Sequence, residues 1–232
     1  MTAHQLSTDR WPLVIAHRGV SGRALENSVA AFELAVAERC DGIELDVHAT
    51  ADGELVVHHD PVLSTGEGIS TLALPELREF RLKDGSPIPT LAEVLHITGR
   101  LRLYIEAKTL PTDVDGRLLE LLARDPFPAR LQVHAFDHRV IGRLAARQGD
   151  LALGVLSSSY PLDPVGPVLA VGARTLWQEW TMIDTELVER CGAAGVTVIA
   201  WTVNGAGAAR DLAALGVGGL CGNFPDRLRR GS

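Results

Sequence analysis

Residues 42–49 read Gly42-Ile43-Glu44-Leu45-Asp46-Val47-His48-Ala49, and their alternation decides the fold. In an extended chain, successive side chains point to opposite faces. Ile43, Leu45 and Val47 therefore share an apolar face suited to packing against helices. Glu44 and Asp46 share the other face and point together toward an interior axis. Two adjacent carboxylates repel, and burying them unpaired is costly. Two arrangements relieve that cost. One is a hard divalent cation, for which carboxylate oxygens are preferred ligands. The other is a set of inward-facing Arg or Lys side chains.

On either side of this strand, short apolar runs alternate with helical patterns. Strand-like runs cover 13–16, 54–58, 101–107, 131–136, 151–156, 174–177, 196–202 and 217–221. Helical patterns cover 27–40, where Val29, Phe32 and Val36 recur at helical spacing, and 114–123, 138–148, 185–194 and 206–215. Alternation of strands with helices implies a parallel sheet. About eight such units in a chain of this size predict an α/β fold, a small (β/α)₈ TIM barrel. A doubly wound open sheet is the competing architecture, but no Gly-x-Gly-x-x-Gly opens the first helix. Residues 61–89 break the rhythm with Gly, Ser and Pro and a short helical piece near 75–81. They read as an insertion after the second strand, lying over one end of the barrel. No linker or composition shift divides the chain, so residues 1–232 read as a single domain.

The chain has 232 residues, long enough to bury a core without disulfides. Its net charge of −7 argues against nucleic-acid binding, which needs a basic surface. A phosphorylated substrate stays compatible, because a bound cation reverses the local field. The three cysteines, Cys40, Cys191 and Cys221, have no metal-ligand spacing and read as buried thiols of a reducing compartment. Residues 1–10 are polar, and no run approaches the roughly 18 apolar residues of a membrane span. The expectation is a cytoplasmic protein without a signal peptide or stable membrane insertion.

Chemistry-bearing residues gather near predicted strand ends. Glu106 and Lys108 in Tyr104-Ile105-Glu106-Ala107-Lys108 share one face, at the strand end where barrel active sites lie. Glu106 can complete a three-carboxylate metal site, and Lys108 can neutralise a phosphate oxygen or form an ion pair across the barrel. His17 ends the first strand ahead of Arg18 and Gly19. Histidine exchanges protons near neutral pH, arginine forks onto phosphate oxygens, and glycine permits a sharp turn. His59, followed by Asp60 and Pro61, is set at a strand mouth by the proline. His58 points the other way and reads as structural. His4, His48, His96, His134 and His138 read as surface or satisfied-core residues. No Ser or Cys nucleophile stands out, so the inventory fits acid–base chemistry on a metal-held phosphate ester.

These motifs, in this order, resemble the glycerophosphodiester phosphodiesterase family. The likeness runs from about residue 14 to 225. It is carried by His17-Arg18-Gly19, Glu26-Asn27-Ser28, Glu44-Leu45-Asp46-Val47, Asp52-Gly53, His59-Asp60-Pro61, Ile105-Glu106-Ala107-Lys108 and Trp201-Thr202-Val203-Asn204. The resemblance implies a (β/α)₈ barrel hydrolysing small-molecule glycerophosphodiesters to glycerol 3-phosphate and an alcohol. It implies Mg²⁺ or Ca²⁺ held by Glu44, Asp46 and Glu106, an acid–base pair of His17 and His59, and phosphate-side contacts from Arg18 and Lys108. Trp201 matches an aromatic lining the substrate pocket, with core packing as its alternative. Departures fall at Leu25, where the family has Pro, at Ala135, and on the last strand. There Gly218, Gly222 and Asn223 replace acidic and hydroxyl side chains. Three readings compete with this one: a phospholipase-like enzyme on the same barrel, a non-catalytic phosphate-ligand binding protein, and a metal-dependent lyase. The sequence does not specify an oligomeric state.

Overall fold

A computed structural model describes residues 11–231; the polar N-terminal stretch and His4 lie outside it. In chain order the elements are β1 (Leu13–His17), α1 (Val29–Ala37), β2 (Gly42–Ala49), β3 (Leu55–Val57), α2 (Leu74–Leu77), α3 (Leu91–Ile97) and β4 (Arg102–Thr109). Then follow α4 (Asp115–Ala123), β5 (Leu131–Ala135), α5 (His138–Arg147), β6 (Ala152–Ser157) and α6 (Gly166–Ala170). The chain ends with β7 (Thr175–Glu179), α7 (Thr185–Ala193), β8 (Thr197–Trp201), α8 (Ala206–Leu215) and β9 (Gly219–Gly222). Strands pair in the order β1-β9-β8-β7-β6-β5-β4-β2-β3, and β1 also pairs with β2. That last pairing closes eight parallel strands into a (β/α)₈ barrel.

The run expected at 54–58 forms β3, but it pairs antiparallel with β2 and stays outside the barrel. It joins beside a register shift at Val47/His48 in the pairing of β2 with β4. After β3, the insertion builds a small core of its own from Val56, Leu63, Ile69, Leu77 and Ile88. Two helices carry no signature in the periodicity, α3 and the five-residue α6. α3 is announced instead by its cap: Thr90 Oγ1 accepts from the Glu93 backbone N–H at 3.2 Å, and Glu93 accepts from the Thr90 N–H at 2.7 Å. In α1 the buried stripe is Ala31, Phe32 and Ala35, while Val36 is exposed. Small residues there let the helix lie close to the strands.

The alternation in β2 holds along the strand. Ile43, Leu45 and Val47 join the core between strands and helices. The barrel interior is packed by Ile15, Tyr104, Leu156, Trp177, Ile199 and Cys221, as closed eight-stranded barrels require. Trp177 sits centrally, edge-on to Tyr104 at 5.2 Å and stacked on His134 at 4.2 Å. Its indole N–H donates to Gln132 Oε1 at 2.9 Å.

Candidate active site

At the carboxyl ends of the strands a cavity of about 110 Å³ is lined by His17, Arg18, Glu44, His59, Glu106, Lys108, His134, Phe136, Leu156, Trp177, Trp201 and Cys221. Seven of the eight residues singled out above meet there. Asp46, the eighth, does not line the cavity, but its carboxylate ties the neighbouring cations together. Lys108 Nζ lies 3.1 Å from Asp46 Oδ1 and 2.8 Å from Glu106 Oε1. Arg18 Nε lies 3.1 Å from Asp46 Oδ2, and its Nη1 lies 2.9 Å from Glu26 Oε2. Asn27 Nδ2 donates to Asp46 Oδ2 at 2.8 Å. A larger groove of about 550 Å³ on the barrel flank offers no comparable cluster. Its arginines Arg78, Arg117 and Arg124 are paired with Glu93, Glu54 and Glu120.

The turn after β1 explains the His17-Arg18-Gly19 order. Arg18 and Gly19 both have positive φ, 56° and 78°. A Cβ at Gly19 would lie 2.7 Å from Ala31, so only glycine lets this loop close against α1. The turn aims the Arg18 backbone N–H at Glu44 Oε2, 3.3 Å away. His17 Nδ1 donates to Asn223 Oδ1 at 2.7 Å. That fixes the tautomer and leaves Nε2 as an acceptor, 3.8 Å from Glu44 Oε2. Burial, with the neighbouring Arg18 charge, lowers His17 to about 4, so the ring is neutral at pH 7.

His59 stands just past β3, off the strand, so the adjacent Asp60 turns back toward it. Its Nδ1 contacts Asp60 Oδ1 at 2.8 Å. His58 Nδ1 instead meets the Asp60 backbone carbonyl, and His48 Nε2 meets that of His59. Both rings thereby brace the His59 turn.

Burial, together with Asp46 and Glu106 nearby, pushes Glu44 well above the usual carboxylate range. Burial also raises Glu106 to about 7, against the pull of Lys108. Burial would raise Asp46 as well, but Lys108, Arg18 and Asn27 overcome it and hold its carboxyl low. Glu44, Glu106 and His134 each offer a ligand atom, all within 4.8 Å of one another. His134 Nδ1 is buried without a hydrogen-bond partner. Crowded acids beside an unpartnered imidazole nitrogen fit a divalent cation. His134, read from sequence as surface or core, thus joins the acids. Its inward position follows from the same parity as Gln132 in β5.

Two departures in the last strand have a steric reason. A Cβ at Gly222 would lie 1.8 Å from the Val203 carbonyl oxygen, and one at Gly218 would lie 2.4 Å from Thr197 Cγ2. Backbone blocks a side chain at Gly222, whereas at Gly218 the exposed Thr197 side chain would have to move aside. Asn223, by contrast, is the partner of His17, a role its sequence position did not announce.

The barrel and its cavity are those of a TIM-barrel enzyme. The glycerophosphoryl diester phosphodiesterase family model matches residues 17–227, and the chain belongs to that family. It is 33% identical over 232 residues to the glycerophosphodiester phosphodiesterase of Caldanaerobacter subterraneus subsp. tengcongensis, covering 93% of this chain and 96% of that one. An Oleispira antarctica phosphodiesterase, solved in complex with the product sn-glycerol-3-phosphate, superposes with a TM-score of 0.86. That pair is 27% identical and covers 94% of this chain and 95% of the other. A crystal structure from Silicibacter pomeroyi has the same fold and superposes with a TM-score of 0.88 over 96% of this chain and 93% of that one, with 23% identity.

Proposed function

We propose that the chain, acting as one catalytic domain, hydrolyses small-molecule glycerophosphodiesters to glycerol 3-phosphate and an alcohol, with a divalent cation, Mg²⁺ or Ca²⁺. The observation that carries this reading is the convergence of two histidines, buried acids, Lys108 and Arg18 on one cavity. Glu44, Asp46 and Glu106, joined by His134, are the groups to hold the cation. When bound, it would offset charge on a phosphate oxygen. Lys108 and Arg18 balance the remaining phosphate charge.

His17, neutral and with Nε2 free to accept, takes the proton from the attacking hydroxyl. That hydroxyl belongs to water, which gives glycerol 3-phosphate directly, or to the substrate's own glycerol, which expels the alcohol to leave a cyclic phosphate that water then opens to glycerol 3-phosphate. His59, whose Nδ1 is held by Asp60 Oδ1, gives a proton to the leaving alkoxide. Proton transfers of this kind typically contribute about 10²–10⁴-fold each. Trp201, whose buried indole N–H lacks a partner, lines the substrate side. Three free buried cysteines support a cytoplasmic setting. No described helix is long and apolar enough to cross a membrane.

The test is a coupled assay for glycerol 3-phosphate over a panel of diesters, with the protein stripped by EDTA and then given each metal. Release that depends on metal is expected, with His17→Ala and His59→Ala each slower by at least about 10²-fold. Release from metal-free protein refutes the cation's role. No release from any diester favours a phosphate-ligand binding protein.

A further inference from the structure

The mouth has two chemically different halves. Neighbouring strands β1, β2 and β4 supply His17, Glu44, Asp46, Glu106 and Lys108. Neighbouring strands β5, β6 and β7 instead lead into exposed apolar side chains. Phe136 follows β5, Tyr160 and Leu162 follow β6, and Trp180 and Met182 follow β7. Leu162 is 95% exposed. These are five of the nine large hydrophobic side chains exposed among the described residues. Single exposed apolar residues are ordinary; a cluster along one rim is not.

The arc continues into the cavity. Phe136 meets Trp201, at the end of β8, edge-on at 5.6 Å. Both line the same cavity as His17 and Lys108, with Leu156 and Trp177 behind them. Charged side chains along the rim are engaged with one another: Arg139 with Asp137 at 2.8 Å, and Arg190 with Asp163 at 3.7 Å. Tyr160 donates its hydroxyl to Asp184 at 3.1 Å. The carboxylates Glu179 and Asp184 cap the turns that follow, accepting from the Thr181 and Leu187 backbone N–H groups, so the rim presents hydrocarbon and aromatic surface among charges that are already hydrogen-bonded.

We propose that this arc receives a hydrocarbon chain of the substrate, so that the enzyme prefers glycerophosphodiesters bearing an alkyl or acyl chain. The inference rests on the phosphodiesterase reading above. A phosphate held by the polar half can lay one substituent across the apolar half. Each methylene taken from water there favours the bound chain by up to about fourfold.

The test measures kcat/KM of the metal-loaded enzyme on two series of diesters, each below its critical micelle concentration. In one series glycerophosphate is esterified to ethanol, butanol, hexanol or octanol. In the other, glycerophosphocholine carries 1-O-alkyl chains of two to eight carbons. A rise of about tenfold or more from two to eight carbons is expected in at least one series, and the responding series tells which arm carries the chain. The slope of log kcat/KM against carbon number should flatten in Leu162→Ser and in Trp180→Ser. It is read from whatever activity each variant retains, with folding checked by circular dichroism. Hydrolysis with a flat slope in both series overturns the proposal and leaves the phosphodiesterase reading standing. A slope unchanged in both variants also overturns it. No hydrolysis of any diester defeats the phosphodiesterase reading itself.

Discussion

His17 and Asn223 form the contact on which the proposed chemistry turns. An imidazole can accept a proton at Nε2 only while Nδ1 carries the hydrogen, and the 2.7 Å bond to Asn223 Oδ1 selects that state. Removing it in Asn223→Ala frees the ring to rotate and to change tautomer. The expected result is a fall in kcat of roughly tenfold to a hundredfold with KM little changed, read by steady-state kinetics. Asn223→Asp keeps the acceptor but adds a negative charge, which favours the protonated imidazole. Because the base must be neutral, the acidic limb of the pH–rate profile should move to higher pH. An unchanged profile would argue against His17 as the base.

Among the elements, the joint between α3 and β5 bears an unusual load. Arg130, at the entrance of β5, pairs with Asp125 at 2.6 Å, both side chains almost fully buried. The same guanidinium donates to the carbonyls of Leu95 and Leu101 and to Thr98 Oγ1, holding the end of a helix that Gly99 closes in the left-handed conformation. Arg130→Ala strands a buried carboxylate and three acceptors. It should lower stability by about 3–5 kcal/mol, measured by urea unfolding. The same scale shows what was legible in the sequence. The strict two-residue period of β2 put Glu44 and Asp46 inward, because a slip of one residue would have exposed Ile43, Leu45 and Val47. Glu106 and Lys108 followed by the same rule. α3 and α6 are too short for a helical period to emerge. β3 read correctly as a strand, but periodicity carries no information on which edge a strand joins. His134 was accessible to the parity argument yet sat among residues that otherwise read as plain core. Asn223 was not, since a turn residue shows no pattern that names a partner across the barrel.

For the molecule as a whole, the crowded acids make folding, pH and metal interdependent. Glu106, raised to about 7, and Glu44, pushed well above the usual carboxylate range, hold protons more tightly in the folded than in the unfolded chain. Their contribution to stability is therefore present below about pH 4.5 and is lost as pH rises through 7 in the metal-free protein. A cation takes the place of those protons, so it competes poorly at pH 5 and well at pH 8. Saturating Mg²⁺ or Ca²⁺ should raise the melting temperature on the order of 5–10 °C at pH 8. It should do much less at pH 5, as read by scanning calorimetry.

β9 closes the barrel against β1, and the bond from His17 to Asn223 spans 206 positions of the chain. On the ribosome, every carboxylate, both histidines, Arg18 and Lys108 emerge long before Asn223 does. A partly synthesised or C-terminally nicked chain thus carries nearly all the reactive groups while its His17 imidazole stays unoriented. Full turnover becomes available when the final strand docks, so the level of activity reports that the ring of strands is complete.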